Sequence, residues 1–168
     1  MSTIAERSSN VSVVEEAKAE FNRARQRLAN DLATTPDDKI NWSPSSTSRT
    51  PIQVVAHAAM SISGMQGMLE GKPFPFDGPA ELDAFSRQEE KKYTTREAVL
   101  AELDKASEGY IVYLDSLTPE QLATNWEMPF GTFPMTSAIT FIADHLRNHA
   151  GQIEYIQTIY GDLDWHMG

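Results

Sequence analysis

The sequence predicts an all-α fold, a four-helix bundle, from three observations. Four long segments carry apolar residues three or four positions apart, which is the spacing of an amphipathic helix. No segment shows the convincing polar–apolar alternation of a half-buried strand. The length of 168 residues suits one domain with its own core. We expect a flexible N-terminus over residues 1–11, one helical bundle domain over 12–163 and a C-terminal tail over 164–168.

The first helix is predicted from a capping pattern and a long apolar stripe. Ser12 and Glu15 have the spacing of a capping box, which predicts a helix start at Ser12. The helix should end before Pro36, because the residue that precedes a proline avoids the α conformation. Its apolar stripe consists of Val14, Ala17, Phe21, Ala24, Leu28 and Leu32.

The second helix should begin with Thr50 as its cap and Pro51 as its first residue. Residues 52–69 contain no Asp, Glu, Lys or Arg. This stretch is too short, and too rich in Gln, Ser and Gly, for a membrane span. A helix buried on most sides fits better, and it needs an extra neighbour that a second subunit could provide.

The third helix should follow a Gly- and Pro-rich break and a short helix over 79–92. Thr94 and Glu97 have the spacing of another capping box. The break and the short helix place about 25 residues between the second and third long helices, enough to run along the bundle and make the two parallel. The core positions are Val99, Leu103, Ala106, Tyr110, Leu114 and Leu117.

The fourth helix should run from near Pro134 to about Tyr160, where Gly161 ends it. Residues 123–133 before it are expected to form a loop with a short extended piece. The predicted core positions of this helix are Met135, Ala138, Ile142, His145, His149, Ile153, Ile156 and Tyr160.

Charge and composition exclude several classes of function. The 14 basic and 24 acidic residues give a net charge of −10, which argues against nucleic acid or an anionic membrane as partner. The absence of Cys excludes disulfides, a thiolate nucleophile of the protein, Cys zinc sites and iron–sulfur clusters. The first residues lack the apolar stretch of a secretory signal, so we expect a cytoplasmic protein.

Three of the four histidines are candidate metal ligands. His145 and His149 are four residues apart on the apolar stripe of the fourth helix, so they point the same way. His57 lies two turns into the second helix, and the three imidazoles converge if these helices pack together. Spacing alone leaves a second interpretation open, in which they are hydrogen-bonded core residues. His166 is expected to be an exposed terminal residue.

Three His without Cys are typical of an open, catalytic type of metal site. The reacting group would be water or a thiolate at the open position, and no general acid or base is visible. Imidazole suits zinc, nickel, iron or copper, and the sequence does not choose. Asp144 is expected to be solvated, and no Glu follows His145 as in HExxH proteases. Gln152 either orients a ligand or a bound water, or is an ordinary bundle residue.

Two segments carry a resemblance to a known family. They are TPIQVVAHAAM, at the start of the second helix, and ITFIADHLRNHAGQIEYIQTIYGD, whose HxxxHxGQ pattern is the most specific part. The loop MPFGTFPMT before the fourth helix adds to them. Together they resemble the DinB-like (DinB/YfiT) four-helix-bundle proteins, and the match in helix order covers roughly residues 12–163.

The resemblance implies an up-down-down-up bundle with a divalent metal, most often nickel or zinc, with iron or manganese as alternatives. Carried over residue by residue, the ligands are His57, His145 and His149. It also implies a homodimer, which agrees with an uncharged second helix as the contact region. Members of known function are mostly S-transferases or isomerases that use bacillithiol, mycothiol or glutathione as a cosubstrate. Nothing in this sequence identifies the thiol or the small-molecule acceptor.

Three functions therefore remain in competition. The first is a metal-dependent low-molecular-weight-thiol S-transferase, and the second is a metal-dependent hydrolase. The third is a non-catalytic dimeric bundle for a stress response or for binding. For the transferase, the acceptor is expected at the bundle end formed by loops 35–49 and 123–133. Trp42, Trp126 and Phe130 either line a pocket there or anchor the loops on the core.

Overall fold

The computed structural model of the protein describes residues 4–128 and 131–166. Within these ranges it is an all-α bundle with one small hairpin, as the sequence predicts. The four long helices are α1 (Ile4–Thr34), α2 (Pro51–Leu69), α4 (Arg96–Ser116) and α7 (Phe141–Ile159). The shorter elements are α3 (Pro79–Glu90), α5 (Pro119–Leu122), β1 (Asn125–Met128), β2 (Gly131–Pro134) and α6 (Met135–Ala138).

Ion pairs along α1 fix the directions of its two neighbours. On α7, Arg147 pairs with Glu20 of α1, and Glu154 pairs with Arg27 of α1. Residue numbers therefore rise in the same direction along both helices, which makes α1 and α7 parallel. On α4, the order is reversed: Asp115 pairs with Lys18, whereas Asp104 pairs with Arg25. Helix α4 is therefore antiparallel to α1.

The direction of α2 follows from its contacts with α7 and the hairpin. Near the end of α2, Trp126 donates its indole N–H to the carbonyl of Met68 while its ring lies 6.0 Å from that of Phe141. Near the start of α2, the ring of His57 lies 4.8 Å from that of His149. Helices α2 and α7 are thus antiparallel, and α2 and α4 run the same way. The expected up-down-down-up order is confirmed, with residues 70–95 as the long crossover.

The predicted apolar stripes form one continuous core. All six residues of the α1 stripe are buried, and so are Val99, Leu103, Ala106, Tyr110 and Leu114 of α4. Helix α2 buries Ile52, Val54, Val55, Ala56, Ala58, Ala59 and Ile62. The extra neighbour that the apolar α2 requires includes α3 of the same chain, in addition to the other three long helices.

Three predicted helix starts differ from the structure. Helix α1 already begins at Ile4, so Ser12 lies inside it and is not its cap; the preceding segment contains Ala, Glu and Arg, which favour helix. Thr95 rather than Thr94 caps α4, since its hydroxyl accepts from the N–H of Ala98 and its backbone is extended. The predicted fourth helix is divided into α6 and α7 by a turn at residues 139–140.

The predicted extended piece in the 123–133 loop is the antiparallel hairpin β1–β2, which pairs Trp126 with Phe133. Trp126 is buried and anchors the hairpin on the core. Trp42 instead packs against Tyr160, with ring centroids 6.1 Å apart, beyond the far end of α7. Phe130 lies outside the described residues.

The two loops therefore do not form one bundle end, and the predicted shared aromatic pocket is wrong. Helix α7, 19 residues long, separates them by about 28 Å. The physical reason is that α1 and α7 are parallel, which puts the loop after α1 and the loop before α7 at opposite ends. None of the helices in residues 4–128 and 131–166 combines the length and apolar character that a membrane crossing requires.

A buried hydrogen bond from α4 joins the turn between α6 and α7 to the core. The hydroxyl of Tyr110 donates to the carbonyl of Ile139 at 2.5 Å. We expect Tyr110→Phe to lower the free energy of unfolding by about 1–2 kcal/mol, because it leaves that carbonyl without a donor. Tyr113→Phe, in the ring stacked on Tyr110, is the matched control and should cost less. Urea denaturation measures both, and equal losses would contradict this account.

Candidate metal centre

Three imidazoles from two helices converge inside the bundle. His57 comes from the second turn of α2, and His145 and His149 come from successive turns of α7. One ring nitrogen from each lies within 4.8 Å of the other two. The Nε2 atoms of His145 and His149 are 3.0 Å apart. The structure thus brings together the three histidines that the sequence singled out.

A buried carboxylate fixes the ring of His57. Glu90, at the end of α3, is 1% exposed and lies 3.1 Å from Nδ1 of His57. Because a carboxylate accepts, this contact assigns the proton of His57 to Nδ1 and leaves the lone pair of Nε2 free. A histidine oriented by a carboxylate in this way is the usual arrangement in metal sites of proteins.

An arginine completes the environment of Glu90. The Nε–H of Arg49 donates to both carboxylate oxygens at 2.9 Å, and the Arg49 side chain is itself only 16% exposed. Burial opposes the ionisation of Glu90, but the hydrogen bonds from His57 and Arg49 outweigh it and lower the pKa of this carboxyl. Arg49 also donates to Asp83 at 3.0 Å, and Arg87 donates to the same carboxylate at 2.8 Å.

Gln152 orients the second ring. Its Oε1 lies 2.8 Å from Nδ1 of His149, so it accepts the proton of that nitrogen. The Nε2 lone pair of His149 then faces the other two histidines. Of the two interpretations of Gln152, the structure shows the orienting contact with a histidine.

The two α7 histidines are held in their neutral form. Burial, together with the neighbouring His149 and His57, lowers the pKa of His145 to about 3. Burial also lowers the pKa of His149 to about 4, against the opposing hydrogen bond from Gln152. Neutral imidazole is the form that offers a lone pair to a metal.

Two of the three donor nitrogens already have the spacing that a divalent metal ion requires. Two imidazole ligands on a tetrahedral zinc are separated by about 3.3 Å, given Zn–N bonds of about 2.0–2.1 Å. The observed Nε2–Nε2 distance of 3.0 Å between His145 and His149 is close to that value. Three nitrogen donors leave a fourth position for water or substrate, as in catalytic zinc sites.

A cleft of about 530 Å³ lies one residue away from the cluster, and none of the three histidines is among its described lining residues. Arg49 and Gln152, which contact Glu90 and His149, both lie in its wall. The charged residues among those that line it are Arg49 and Arg87, and no Asp or Glu is among its described lining residues. The rest of the wall comes from Pro44, Thr47, Ser48, Val54, Asn148, Gly151, Tyr155, Ile156 and Ile159.

Two further residues considered in the sequence have other roles. Asp144 is exposed and pairs with Arg147 at 2.6 Å, in agreement with the expectation that it is solvated. His166 was expected to be exposed, but its side chain is 22% exposed and lies 2.9 Å from a carboxylate oxygen of Asp162. The tail folds back on the end of α7, which explains this difference.

Glu90 and Arg49 were missed by the sequence analysis. Glu90 lies in the polar run Arg87–Lys92, which has the composition of a solvated helix face. Arg49 lies in a loop rich in Ser and Thr, directly before the cap of α2. Neither position carries a local signal, because their burial depends on how α3 packs against α2.

The fold and the cluster define a class: four-helix-bundle proteins with a candidate three-histidine metal centre between α2 and α7. A sequence comparison agrees with this class. The DinB superfamily matches over residues 20–153. The chain belongs to the DinB superfamily, which confirms the resemblance in the sequence.

Solved structures show the same fold at low sequence identity. YfiT from Bacillus subtilis, described as a probable metal-dependent hydrolase with an unusual four-helix bundle topology, has a TM-score of 0.62 and 19% identity, covering 96% of this chain and 91% of its own. A variant of the mycothiol-dependent maleylpyruvate isomerase has a TM-score of 0.68 and 11% identity over 83% of this chain. This chain spans 60% of the isomerase's length.

A third solved structure has the same fold. The colibactin self-resistance protein ClbS, in complex with double-stranded DNA, has a TM-score of 0.62 and 17% identity, covering 86% of this chain and 95% of its own. No curated protein sequence matches this chain.

The neutral histidines predict a pH dependence of stability without metal. Unfolded histidines gain a proton near pH 6.5, whereas the folded pKa values of His145 and His149 are about 3 and about 4. Between pH 7 and 5 the unfolded state therefore binds more protons, and stability falls as the pH falls. Urea denaturation of metal-free wild type and of His145→Asn/His149→Gln should show a shallower slope for the variant. Equal slopes would contradict burial in the neutral form.

Proposed function

We propose that His57, His145 and His149 bind one divalent metal ion, with nickel or zinc as the first candidates. The observation that carries this proposal is the convergence of three imidazole nitrogens within 4.8 Å. The hydrogen bonds of Glu90 and Gln152 support it further, since they leave the Nε2 lone pairs of His57 and His149 available. Iron and manganese are the alternatives.

We propose further that the protein is a metal-dependent enzyme of the low-molecular-weight-thiol S-transferase type. A divalent cation at this position would supply positive charge that favours the anionic form of a thiol or of water. The chain has no Cys, so a thiol nucleophile must come from a cosubstrate. The mycothiol dependence of the structurally similar isomerase supports a thiol of this class.

The wall of the cleft supports an anionic cosubstrate. Beyond their bonds to Glu90, Asp83 and the Thr47 carbonyl, the guanidinium groups of Arg49 and Arg87 have further N–H donors that would contact carboxylate groups. Asn148 and Ser48 offer polar contacts in the same wall. Low-molecular-weight thiols with carboxylate groups match this pattern. Glu90 would act as a positioning residue for His57, because both of its oxygens already accept hydrogen bonds from Arg49.

A metal-dependent hydrolase is the second candidate. It needs the same three histidines, with water in place of the thiol, and YfiT is described as a probable metal-dependent hydrolase. The described lining of the cleft has no Asp or Glu that could act as a general base. This favours the thiol, whose deprotonation at neutral pH needs less help than that of water.

A homodimer through the α2 region is also part of the proposal. The half-buried Met60, Met65 and Met68 of α2 are apolar side chains that a second subunit could cover. The sequence suggested that the apolar surface of α2 needs a second subunit to cover it. Because α3 of the same chain already covers part of that surface, this argument for a homodimer is weaker than the sequence indicated.

The first test is elemental analysis of untagged protein purified without nickel resin. We expect about one equivalent of metal in wild type and less than about a tenth in His145→Ala/His149→Ala, since one imidazole cannot hold the ion. His166→Ala is the matched control and should retain the metal. Circular dichroism verifies that the variants fold. Failure to bind nickel, zinc, iron or manganese on reconstitution would contradict the metal centre.

Activity screens then separate the candidate functions. An S-transferase should need both the metal and an added thiol, tested with glutathione, mycothiol and bacillithiol. A hydrolase should need the metal alone. Activity that is independent of both would overturn the enzyme proposal, and an unchanged cellular function in the metal-free variant would favour the binding bundle. A titration with duplex DNA tests the partner class that ClbS represents.

The hydrogen bond between His57 and Glu90 predicts that loss of the Glu90 charge weakens metal binding without abolishing it. Glu90→Gln keeps the shape of the side chain but removes its charge, and we expect the metal Kd to rise about 10–100-fold. Glu89→Gln is the control, because that residue pairs with Lys92 instead. Competition with a chromophoric chelator measures both affinities. The same Kd in both variants would show that Glu90 does not position His57.

A further inference from the structure

A second buried carboxylate, Asp31, lies beside Gln157 of α7, and its Oδ2 atom has no hydrogen-bond partner among the described residues. Asp31, in the last turn of α1, is 2% exposed. Its Oδ2 atom is buried and makes no hydrogen bond within the described part of the chain. A buried carboxylate without a donor costs free energy, so this position requires an explanation.

The donors next to Asp31 are directed to its backbone instead of its carboxylate. The hydroxyl of Thr35 donates to the Asp31 carbonyl at 2.7 Å, and the amide of Gln157 donates to the same carbonyl at 3.1 Å. Burial raises the pKa of the Asp31 carboxyl to about 7, and nearby Glu154 adds to the rise. The surrounding protein does not satisfy this carboxylate.

Asp31 lines a cleft of about 900 Å³ between α1, α7 and residues 162–166. The basic side chains in this cleft already have partners. Both oxygens of Glu154 accept from Arg27, at 2.6 and 2.7 Å, and His166 contacts Asp162. Arg23 pairs with Glu20 on the same helix. Among the described residues, none of these side chains donates a hydrogen bond to Oδ2 of Asp31.

The rim of the cleft adds apolar surface. Trp165 is 86% exposed and Leu163 is 75% exposed, and both line the cleft. An indole ring at this position can attract a cation through its face, and Leu163 can cover a hydrocarbon chain. Asp164, also in the lining, adds a further negative charge.

We propose that this cleft is a binding site for a protonated aliphatic amine, whose ammonium group pairs with Asp31 and whose hydrocarbon chain lies against Leu163 and Trp165. An ammonium group supplies the hydrogen-bond donors that Oδ2 of Asp31 lacks. The apolar rim favours an organic cation over a metal ion, and the acidic lining disfavours an anion. This inference does not depend on the metal centre or on the proposed activity.

Titration of wild-type protein with 1-butylamine and 1,4-diaminobutane hydrochloride, followed by amide NMR and calorimetry, tests the proposal. We expect shifts at residues 27–34, 154–158 and 162–166 below about 10 mM amine, and none with sodium butyrate. Asp31→Asn should weaken binding by about tenfold or more, because it removes the charge but keeps the shape. Asp38→Asn, an exposed carboxylate outside the cleft, is the matched control and should bind as wild type does.

Trp165→Ala provides a second variant, which keeps the test decisive if Asp31→Asn does not fold. Its side chain is exposed, so folding should be unaffected, and we expect binding to weaken by about threefold. Three results would overturn the proposal: no shifts at these residues, shifts confined to the histidine cluster, or equal amine affinity in wild type and Asp31→Asn.

Discussion

The candidate metal centre depends on the contacts that Glu90 makes with Arg49 and His57. A carboxylate that is 1% exposed would be costly in a helical core if it were alone. Arg49 from the loop before α2 and His57 from α2 both donate to it, so α3, α2 and the loop are held together at one point. The same contact sets the ring orientation and the proton position of His57. Structure and site chemistry are therefore coupled through one side chain.

The topology of the bundle makes this contact possible. Because α2 and α4 are parallel, the chain must return along the length of the bundle between them, and α3 lies in that return segment. A simple antiparallel hairpin would have no such segment and no buried Glu90. The parallel pair α1 and α7 then leaves α2 antiparallel to α7, so that His57 meets His145 and His149.

Much of this was accessible from the sequence, but not all. The apolar stripes of α1 and α4 and the spacing of His145 and His149 follow the period of an α-helix. They could be predicted because that period depends only on the local helix and not on how the helices pack. Glu90 carries no such signal, since its neighbours are as polar as those of any solvated helix. The prediction that Trp42 and Trp126 lie at the same end of the bundle was wrong for a related reason. Which loops share an end depends on the directions of the helices, and these are a property of the whole fold.

Asp31 and Glu90 are two buried carboxyl groups whose pKa values are shifted in opposite directions by their surroundings. Both are carboxylates at the ends of helices, and both are almost fully buried. Glu90 accepts from an arginine and a histidine, and its pKa is lowered. Asp31 has a free Oδ2 atom, and burial raises its pKa to about 7. Burial has the same sign of effect on both, so the difference comes from the donors that the fold supplies. The described residues supply no donor to Oδ2 of Asp31, and the cleft beside it is where an external donor can enter.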